Sequence, residues 1–454
     1  MTEREFAIDV VRRLQEAGHE ALWAGGCVRD ELLGLVPKDY DVATNARPEQ
    51  VQGLFRRALA VGASFGVIEV LGPRVSAQGG GKRTLSVEVA TFRTDGTYSD
   101  GRRPDQVVFS SAQEDAQRRD FTINGMFFYP LKDELIDYVG GQADLHARIL
   151  RAIGAADQRF EEDKLRLLRA VRLATRFELT IEPATAAAIK EHASEINVVS
   201  AERIAEELRQ LLVHPRRSLG LKLLRSLGLT EELLADLVPY PEKDWDQWER
   251  LLLTGPAWMG GSLTSEIEKQ ERRWEHILAV LDLLGLEPSF PLVLAGLLNG
   301  GEHAVRRADD FCQRLRLSNN DRERTVWLVD RLGELNNVHE MRTCRLKQLL
   351  YHPGIHELLA LYRADALTAG RGVEAVEFCE KLLREWTEED LNPPPLITGQ
   401  DLIEMDLKPG PVFKEILDTV RDGQLDGVIQ TKAEAMELAR RLSTERDRIG
   451  EKIE

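Results

Sequence analysis

Hydrophobic and polar residues follow two periodicities along the first 145 or so residues of the chain. Residues 4–18 place Phe6, Val10 and Leu14 at helical spacing on one broad face, which predicts an amphipathic helix. Short apolar runs bounded by glycine or polar residues predict strands. These runs are EALWAGG, DYDVAT, SFGVIEVLG, LSVEVATF and DQVVFS, whereas FTINGMFFYP fits a helix or a strand. The pattern predicts a mixed unit of the α+β or α/β class.

From about residue 148 onward the apolar residues recur at helical spacing almost throughout. The clearest helical segments are 161–178, 183–193, 200–213, 217–227, 266–285, 320–334, 372–387, 412–421 and 431–448. Two segments that contain proline interrupt the pattern and are candidate boundaries, VPYPEKDW at 238–245 and LNPPPLITG at 391–399. The sequence therefore predicts a helical region after the mixed unit.

The composition narrows the class of protein only slightly. The 454 residues suggest two to four domains, and the hydrophobic and charged fractions are those of an ordinary soluble protein. The four cysteines are too scattered for a metal site or a disulfide framework, and no apolar run suggests a membrane helix or a secretory signal. We therefore expect a cytoplasmic protein with no membrane partner. The net charge of −16 argues against indiscriminate nucleic-acid binding but leaves room for a local basic groove.

Asp39 and Asp41 are the first candidates for chemistry. In a strand their side chains point to the same face, and two carboxylates so close repel each other unless a cation or a proton offsets the charge. Mg²⁺ prefers a few carboxylates together with phosphate oxygens, and Glu88 in the strand-like LSVEVATF adds a third carboxylate. The same D-x-D pattern is also typical of a solvated turn at a strand edge.

Gly25 and Gly26 are the second candidates. They follow an apolar, strand-like stretch and precede CVRDELLG, which predicts the start of a helix. A glycine-rich turn at a helix N-terminus leaves backbone N–H groups for a phosphate, and Arg29 adds a cation. A tight turn without a ligand is the alternative. The closeness of this turn to Asp39 and Asp41 in sequence favours a phosphate site beside a metal site.

Five segments occur in order over about 200 residues and carry a family resemblance. They are GGCVRDELLGLVPKDYDVAT (25–44), RRDFTINGMFFYP (118–130), DYVGGQADL (137–145), EEDKLRLLRAVRLATRF (161–177) and SAERIAEELRQLL (200–212). Together they resemble the signature motifs of class II tRNA nucleotidyltransferases and bacterial poly(A) polymerases, in the superfamily that includes DNA polymerase β.

The resemblance implies an α+β fold. A polymerase β-like nucleotidyltransferase head, built on a mixed sheet with helices, is expected at 1–147. An all-helical remainder is expected to follow, divided into a neck with the nucleotide-selecting and RNA-binding helices at 148–240, a body at 241–390 and a tail at 391–454.

The resemblance also implies roles for individual residues. Asp39 and Asp41 would bind the metal, and Gly26 and Arg29 would bind the nucleotide. The family motif E-D-x-x-R, which is assigned the choice of base, is represented here by Glu162, Asp163 and Arg166.

The chemistry of Asp163 and Arg166 agrees with a choice of base. Three residues apart on a predicted helix they would be neighbours, and an aspartate accepts from an exocyclic amino group while an arginine donates to ring acceptors. Cytosine and adenine each offer an amino donor beside a ring-nitrogen acceptor, and guanine and uracil reverse that pattern. A surface salt bridge is the alternative for a lone pair. Arg169 and Arg172 match family positions too, but rotate away from the base, so we expect them on phosphates or in structural ion pairs.

Two further groups of charges are expected near the nucleotide. Arg118 or Arg119 would bind the triphosphate, since a planar guanidinium suits phosphate oxygens, although a helix cap with solvated charge is the alternative. The polar, glycine-rich segment 91–109 predicts a loop. It resembles the flexible loop that helps related enzymes to switch from C to A addition, and an ordinary hairpin is the alternative. The expected working charges of this loop are Arg93, Asp95, Arg102 and Arg103.

The helical remainder offers weaker signals. Basic groups at 214–225, 305–316 and 342–350 would contact RNA phosphates or simply lie on solvated helix faces. Residues 274–301 resemble the start of an HD phosphohydrolase domain, but Asn299 and Gly300 stand where the His-Asp pair would be, so His276 alone cannot hold a metal. Either this is a degenerate, structural HD domain, or the similarity arises by chance. Residues 397–440 resemble the tail of many related bacterial enzymes.

The sequence as a whole predicts a CCA-adding tRNA nucleotidyltransferase. It would transfer CMP twice and AMP once from CTP and ATP to the 3′ end of tRNA by two-metal nucleotidyl transfer with Mg²⁺, releasing pyrophosphate. A poly(A) polymerase or an enzyme that adds only A is the nearest alternative, and a non-catalytic RNA-binding protein on the same fold is an alternative of a different class. No obligate protein partner is evident.

Overall fold

A computed structural model of the chain describes residues 1–62, 66–76, 81–95, 107–234, 257–301, 303–405, 407 and 410–450. Arg102 and Arg103 lie outside the described residues. The chain divides into two units, Met1–Lys243 and Asp244–Glu454. All described strands belong to the first unit, and the described secondary structure of the second is helical.

Most strands of the first unit build one mixed sheet. The described strands are β1 (Ala21–Ala24), β2 (Asp41–Thr44), β3 (Ala58–Gly62), β4 (Val67–Ser76), β5 (Lys82–Thr91), β6 (Arg93–Asp95), β7 (Val107–Phe109), β8 (Met126–Tyr129), β9 (Glu134–Asp137), β10 (Ile149–Leu150) and β11 (Thr180–Ile181). Seven of them form a sheet in the order β3-β4-β5-β2-β1-β8-β9, in which β2 and β5 are parallel and the other neighbours are antiparallel. The pairs β6–β7 and β10–β11 are separate two-stranded ribbons.

The period-two pattern of the strands separates a core face from an open face. Along β5, Leu85, Val87 and Val89 are buried while Glu88 is exposed between them. The apolar run FTINGMFFYP divides into a 3₁₀ turn at Thr122–Asn124 and strand β8, which resolves the ambiguity in the sequence in favour of a strand. The sheet therefore presents acidic side chains on the face opposite its core residues.

Helices surround the sheet and continue after it in the first unit. They are α1 (Glu3–Glu16), α2 (Gly26–Leu32), α3 (Pro48–Leu54), α4 (Ala112–Gln117), α5 (Gly141–His146), α6 (Ala156–Glu162), α7 (Leu165–Phe177), α8 (Pro183–His192), α9 (Ala201–Leu212), α10 (Arg217–Ser226) and α11 (Thr230–Leu233). Helix α1 begins at a capping box formed by Thr2 and Glu5 and buries Phe6, Val10 and Leu14, as the spacing of these residues predicts.

The second unit is built from helices. Those described are α12 (Ala257–Asp282), α13 (Phe290–Leu298), α14 (Ala304–Arg314), α15 (Asn319–Arg331), α16 (Thr343–Tyr351), α17 (Ile355–Thr368), α18 (Glu374–Glu385), α19 (Glu388–Leu391), α20 (Gly399–Ile403), α21 (Pro411–Leu425) and α22 (Lys432–Gly450). Near its C-terminal end, Leu402, Val420 and Ala435 are the centre of a small apolar cluster that joins α20, α21 and α22.

The predicted fold class is confirmed, since a mixed sheet with helices is followed by a largely helical region. The finer division into head, neck, body and tail stays a prediction. Within the described ranges, no helix is both long enough and apolar enough to cross a lipid bilayer.

Candidate active site

An acidic row crosses the open face of the sheet. Asp41 begins β2 and lies opposite Glu88 of β5, which in turn lies opposite Glu69 of β4. Asp39 precedes the first residue of β2 by two positions and is exposed, as are Asp41 and Glu88. Register thus brings Asp41 and Glu88 together and adds Glu69, which alternation along SFGVIEVLG could have indicated, while Asp39 lies two residues before the row.

The electrostatics of this row suit a cation. Asp41 is in contact with solvent, but protein atoms also surround it and desolvate its carboxylate. This desolvation is the largest cause that raises the pKa of Asp41 to about 6, and the negative charges of Glu88 and Asp39 act in the same direction. The positive charge of Arg119 acts to lower the pKa of Asp41. In the described part of the chain, no side chain pairs with Asp39, Asp41 or Glu88. Among the described residues, the charge of Arg119 offsets part of this repulsion without forming an ion pair with any of the three carboxylates.

The carboxylates do not form a complete metal cage by themselves. No three His, Cys, Asp or Glu side chains among the described residues are grouped closely enough to hold a metal ion. Mg²⁺ takes only one or two carboxylates in many sites and completes its octahedron with water and phosphate oxygens of the substrate. The donor set of Asp41 with Glu88 and Asp39 fits such a site.

The glycine turn lies directly beside the acidic row. Ala24 at the end of β1 is the register partner of Asp41, and Gly25 follows it with φ of 74°, a conformation that favours glycine. A Cβ atom on Gly25 would lie 2.9 Å from Nη1 of Arg119. Glycine at this position therefore allows both the turn and the close approach of a guanidinium.

Arg29 is placed differently from the expectation of a cation facing a phosphate. It is 5% exposed, and it donates to the Asp30 carboxylate at 2.6 Å and to Oδ1 of Asn124 at 2.5 Å. Its guanidinium lies 4.2 Å from the centre of the Phe177 ring. These contacts place Arg29 among the buried side chains that support the glycine turn.

Arg118 and Arg119 share one buried carboxylate, that of Asp115 on α4. Oδ1 of Asp115 accepts from Arg118 and Oδ2 accepts from Arg119, with each guanidinium using both Nε and Nη2. Arg119 also lies over the Phe127 ring and donates through Nη1 to the carbonyl of Asn124. The structure thus brings Arg119, the glycine turn and the acidic row together.

Asp120 joins this region to helix α7. Its Oδ2 accepts from Nε and Nη2 of Arg169 at 2.9 and 2.6 Å, and its Oδ1 accepts from the Asn124 amide and the backbone N–H of Phe121. Burial alone raises the pKa of Asp120, but the charge of Arg169 and these hydrogen bonds outweigh it and hold the pKa far below its ordinary value.

The prediction that Asp163 and Arg166 lie on one helix is wrong, although they remain adjacent because the backbone N–H of Arg166 donates to the carbonyl of Asp163 at 3.0 Å. Helix α6 ends at Glu162, Asp163 has extended backbone angles, and α7 begins at Leu165. Asp163 accepts from the backbone N–H of Leu165 at 3.0 Å and from both terminal nitrogens of Arg203 on α9. The aspartate therefore lies in the break between two helices, where its side chain accepts from the first backbone N–H of α7.

Arg166 lies on α7 with different partners. Its Nη1 donates to Glu162 at 2.6 Å and to the carbonyl of Arg159 at 2.9 Å, and its Nη2 donates to the carbonyl of Arg118 at 3.3 Å. Glu162 also pairs with Arg159. Through the Arg118 carbonyl, the segment that carries Glu162, Asp163 and Arg166 contacts the segment that carries the two arginines.

Arg169 and Arg172 form structural ion pairs, one of the two expectations for them. Arg169 pairs with Asp120, and Arg172 donates to Glu207 of α9 at 2.6 Å, where Glu207 is buried. Arg169 is also 3.9 Å from Glu207. These pairs link α7 to α9 and to the residues around the glycine turn.

The loop residues are only partly described. Arg93 and Asp95 bound strand β6, which pairs with β7, so the ends of segment 91–109 form a short ribbon. The backbone N–H of Arg93 approaches Oδ1 of Asp115 at 3.3 Å, and its carbonyl accepts from Nε of Arg118.

Some residues behind the weaker signals in the helical remainder make contacts within the protein. Arg217, in the basic group at 214–225, is buried and donates to the carbonyl of Leu212 at the end of α9. His276 contacts Asp365 at 2.8 Å, while the carbonyl of Gly300 accepts from Arg273. These contacts occur equally in a degenerate HD domain and in an unrelated helical region, so both alternatives stay predictions.

The residues that organise the site without being sequence candidates include Asp115, Asp120, Asn124, Arg203 and Glu207. Arg203 and Glu207 lie in the motif at 200–212, and Asn124 lies in the motif at 118–130, so the motifs contained a signal for them. Asp115 lies in the helical turn before Arg118 and Arg119, where i,i+3 and i,i+4 spacing to the two arginines was the available signal.

Replacing Asp120 by alanine is expected to lower the free energy of unfolding of the first unit by about 3 kcal/mol, because Arg169 and two N–H donors would lose a buried acceptor. Urea unfolding followed by circular dichroism measures this change. The folded pKa is depressed, so the stabilising effect is present above the unfolded pKa of about 3.9 and is lost as the pH falls toward the folded value.

The control for this measurement is Asp310→Ala, which removes a pair with Arg306 in which both side chains are largely exposed. A change below about 1 kcal/mol is expected there. Equal stability of the two variants at neutral pH would contradict a stabilising role for the Asp120–Arg169 pair.

Comparison with protein-family models gives three matches along the chain. The model described as the poly A polymerase head domain matches residues 21–151. The model of a probable RNA and SrmB-binding site of polymerase A matches residues 178–240, and the model described as tRNA nucleotidyltransferase domain 2, putative, matches residues 295–439.

Curated relatives are named CCA-adding enzymes. The protein of Lactiplantibacillus plantarum is 40% identical over 58% of this chain and 61% of its own length, and that of Geobacillus kaustophilus is 36% identical over 63% and 65%. The protein of Lactobacillus delbrueckii subsp. bulgaricus is 36% identical over 64% of this chain and 76% of its own length. The matched region thus spans less than two thirds of the first two relatives.

Solved structures share the architecture. The CCA-adding enzyme of Bacillus stearothermophilus in complex with CTP is 26% identical with a TM-score of 0.70, covering 99% of this chain and 100% of that one. The CCA-adding enzyme of Thermotoga maritima complexed with tRNA is 21% identical with a TM-score of 0.55 over 96% and 94%, which is a likeness of fold alone.

Proposed function

The chain belongs to the class II family of CCA-adding enzymes and poly(A) polymerases, and on that basis we propose that it adds CCA to the 3′ end of tRNA from CTP and ATP. The observation that carries the proposal is the juxtaposition of two features on the sheet. The acidic row with Asp41 and Glu88 lies beside the Gly25 turn, with Arg119 against that turn. One side offers carboxylates to a cation, and the other offers a guanidinium and backbone N–H groups to a triphosphate.

In the proposed reaction the 3′ hydroxyl oxygen of tRNA attacks the α-phosphorus of a nucleoside triphosphate. A bond forms between these two atoms, the bond from the α-phosphorus to the bridging oxygen breaks, pyrophosphate leaves, and the hydroxyl proton is released. No protein nucleophile is required. The chain's contribution is alignment of the reactants and stabilisation of charge.

Nucleotidyltransferases are typically metal-dependent, and Mg²⁺ is the ion that we propose here. Asp39, Asp41 and Glu88 would hold it. When bound, Mg²⁺ supplies Lewis-acid activation of the hydroxyl and charge stabilisation at the phosphate oxygens. Because no described side chain forms an ion pair with them, the three carboxylates remain available for this purpose.

The triphosphate would be bound by Arg118 and Arg119 together with the backbone N–H of Gly26, while the N–H of Gly25 donates to the carbonyl of Met126 and so fixes the turn. Arg119 lies closest to the turn, whereas Arg29 supports the turn from inside through Asn124 and Asp30. We therefore propose direct contact for Arg119 and an indirect role for Arg29.

The base would be chosen by Asp163 and Arg166. The carboxylate accepts from the amino group of cytosine or adenine, and the guanidinium donates to the ring nitrogen. Glu162 positions Arg166, and the ion pairs of Arg169 and Arg172 hold α7 in place. The loop charges Arg93, Asp95, Arg102 and Arg103 are proposed to assist the change from C to A addition.

The head, neck, body and tail divisions at 1–147, 148–240, 241–390 and 391–454 are part of the same proposal, as is a cytoplasmic location. The match of residues 21–151 to the poly A polymerase head domain keeps A-only or poly(A) addition as the second candidate.

An incorporation assay distinguishes the candidates. Purified protein is incubated with Mg²⁺ and one of three tRNAs, which end before CCA, after the first C or after the second C, and with CTP, ATP or both. We expect CTP to extend the first two tRNAs, ATP to extend the third by one nucleotide, and the mixture to complete CCA on all three. Failure to incorporate CTP would exclude CCA addition, and extension by many A residues would favour a poly(A) polymerase.

A further inference from the structure

Asp115 holds two candidate triphosphate ligands with one carboxylate. It is 2% exposed and lies on α4, three and four residues before Arg118 and Arg119. We propose that Asp115 is a positioning residue for the nucleoside triphosphate, which fixes the orientation of both arginines and ties the start of segment 91–109 to them. This inference rests on the proposed function.

The hydrogen bonds of Asp115 are divided between its two oxygens. Oδ1 accepts from Nε and Nη2 of Arg118 at 2.9 and 2.7 Å, and Oδ2 accepts from Nε and Nη2 of Arg119 at 3.1 and 2.9 Å. Each guanidinium thus presents the same edge to the carboxylate. Because a guanidinium is planar, fixing this edge also fixes the direction of the remaining edge.

For Arg119 the remaining edge faces the glycine turn. Its Nη1 donates to the carbonyl of Asn124 at 3.3 Å and lies 2.9 Å from the place where a Cβ of Gly25 would be. The charge of Arg119 also acts on Asp41. Asp115 therefore directs a cation to the place where the phosphate side and the metal side of the site meet.

The same carboxylate reaches the start of segment 91–109. Oδ1 of Asp115 accepts from the backbone N–H of Arg93 at 3.3 Å, while Nε of Arg118 donates to the carbonyl of Arg93 at 3.0 Å. The backbone N–H and the backbone carbonyl of Arg93, the first residue of β6, are therefore both bound to the Asp115–Arg118 pair. A movement of Arg118 would therefore be transmitted to the backbone at the start of segment 91–109.

The charge state of Asp115 agrees with this arrangement. Burial alone raises its pKa, but the charges of Arg119 and Arg118 and their hydrogen bonds outweigh the burial and hold the pKa below its usual value. The carboxylate is therefore ionised at neutral pH, and the three side chains carry a net charge of about +1.

Positioning and simple charge compensation predict opposite results for Asp115→Asn. If Asp115 only reduced the positive charge near the triphosphate, asparagine would leave two uncompensated arginines, and the nucleotide would bind more tightly. If Asp115 orients the arginines, asparagine can accept through only one oxygen, the second guanidinium is released, and the nucleotide binds more weakly.

The experiment measures steady-state kinetics of CTP and ATP incorporation with full-length protein, Mg²⁺ and tRNA ending at the appropriate nucleotide. We expect Asp115→Asn to raise KM for both nucleotides roughly tenfold or more, with KM for tRNA within about twofold of wild type. Asp115→Glu keeps the charge but moves the carboxylate by one methylene group, and we expect it also to raise KM, by a smaller factor. An unchanged or lowered KM in both variants would overturn the proposal.

Asp401→Asn is the matched control. Asp401 is also nearly buried and ion-paired, to Lys432, but it belongs to the second unit. Its nucleotide KM is expected to be unchanged. If Asp115→Asn does not fold, Asp115→Glu alone decides, and a wild-type KM in that variant overturns the proposal. Absence of CTP and ATP incorporation by the wild-type protein would instead show that the proposed function is wrong.

Discussion

Replacing Asp41 by asparagine is expected to reduce nucleotide incorporation by roughly a thousandfold or more while leaving the protein folded. The reason is that the carboxylate lies in an acidic row whose charge has no partner among the described side chains, so its charge serves a ligand and not the fold. Asparagine has nearly the same shape but loses the negative charge that a cation requires. Single-turnover incorporation of CTP measures the loss.

The stability of this variant is a second, independent result. Because Asp41 is repelled by Glu88 and Asp39, removing its charge is expected to leave the melting temperature unchanged or to raise it. A residue that served only the fold would give the opposite sign. Together, an inactive and equally stable variant would identify Asp41 as part of the site.

Asp133→Asn is the control for Asp41→Asn. Asp133 is exposed, lies in the turn between β8 and β9 and has φ of 54°, a conformation that asparagine adopts readily. The Asp133→Asn substitution removes the same charge from the same unit as Asp41→Asn, and we expect the variant to keep full activity. Retention of more than a tenth of wild-type incorporation by Asp41→Asn would argue against a metal ligand at this position.

Much of the site could be predicted because its parts are local in sequence. The glycine turn follows one strand and Asp41 begins the next, and antiparallel pairing of β1 with β2 places Ala24 opposite Asp41. The face of the sheet that Glu88 occupies could also be predicted, because apolar and polar residues alternate clearly along LSVEVATF. Period-two patterns predict which face a side chain occupies, but the parallel pairing of β2 with β5 that places Asp41 opposite Glu88 comes from the fold.

The ionic contacts of the interior could not be predicted in the same way. Asp120 and Asn124, Arg29, and Arg169 form a connected set across three segments, and their pairing depends on distances that only the folded chain provides. Charge patterns in a sequence do not distinguish a solvated arginine from one that is buried against a carboxylate. Arg29 was therefore predicted to face a phosphate, whereas it faces Asp30 and Asn124.

The helix break at Asp163 has a local cause that the apolar pattern conceals. The hydrophobic spacing continues through 161–178, but the Asp163 side chain accepts from the backbone N–H two residues later and starts a new helix. Aspartate competes in this way with helical hydrogen bonds. The break separates Asp163 from the helical surface and leaves Arg203 to hold its carboxylate, which an i,i+3 argument could not reveal.

Asp163→Asn is expected to change which base is accepted. A carboxylate only accepts hydrogen bonds, so it suits the amino group of cytosine, whereas an asparagine amide also donates and suits the O4 atom of uracil. We expect the ratio of kcat/KM for CTP to that for UTP to fall by roughly a hundredfold, on a tRNA that ends before CCA. The asparagine oxygen can still accept from Arg203 or Leu165, so the break between the helices is expected to persist.

Glu161→Gln provides the control, because it makes the same change of charge two residues away on the exposed side of α6. Its CTP to UTP ratio is expected to equal that of the wild type. A simple change in the electrostatic field near the nucleotide would affect both variants, whereas a contact with the base edge would affect Asp163→Asn alone. If Asp163→Asn kept the wild-type ratio within about threefold, the choice of base would have to depend on other residues.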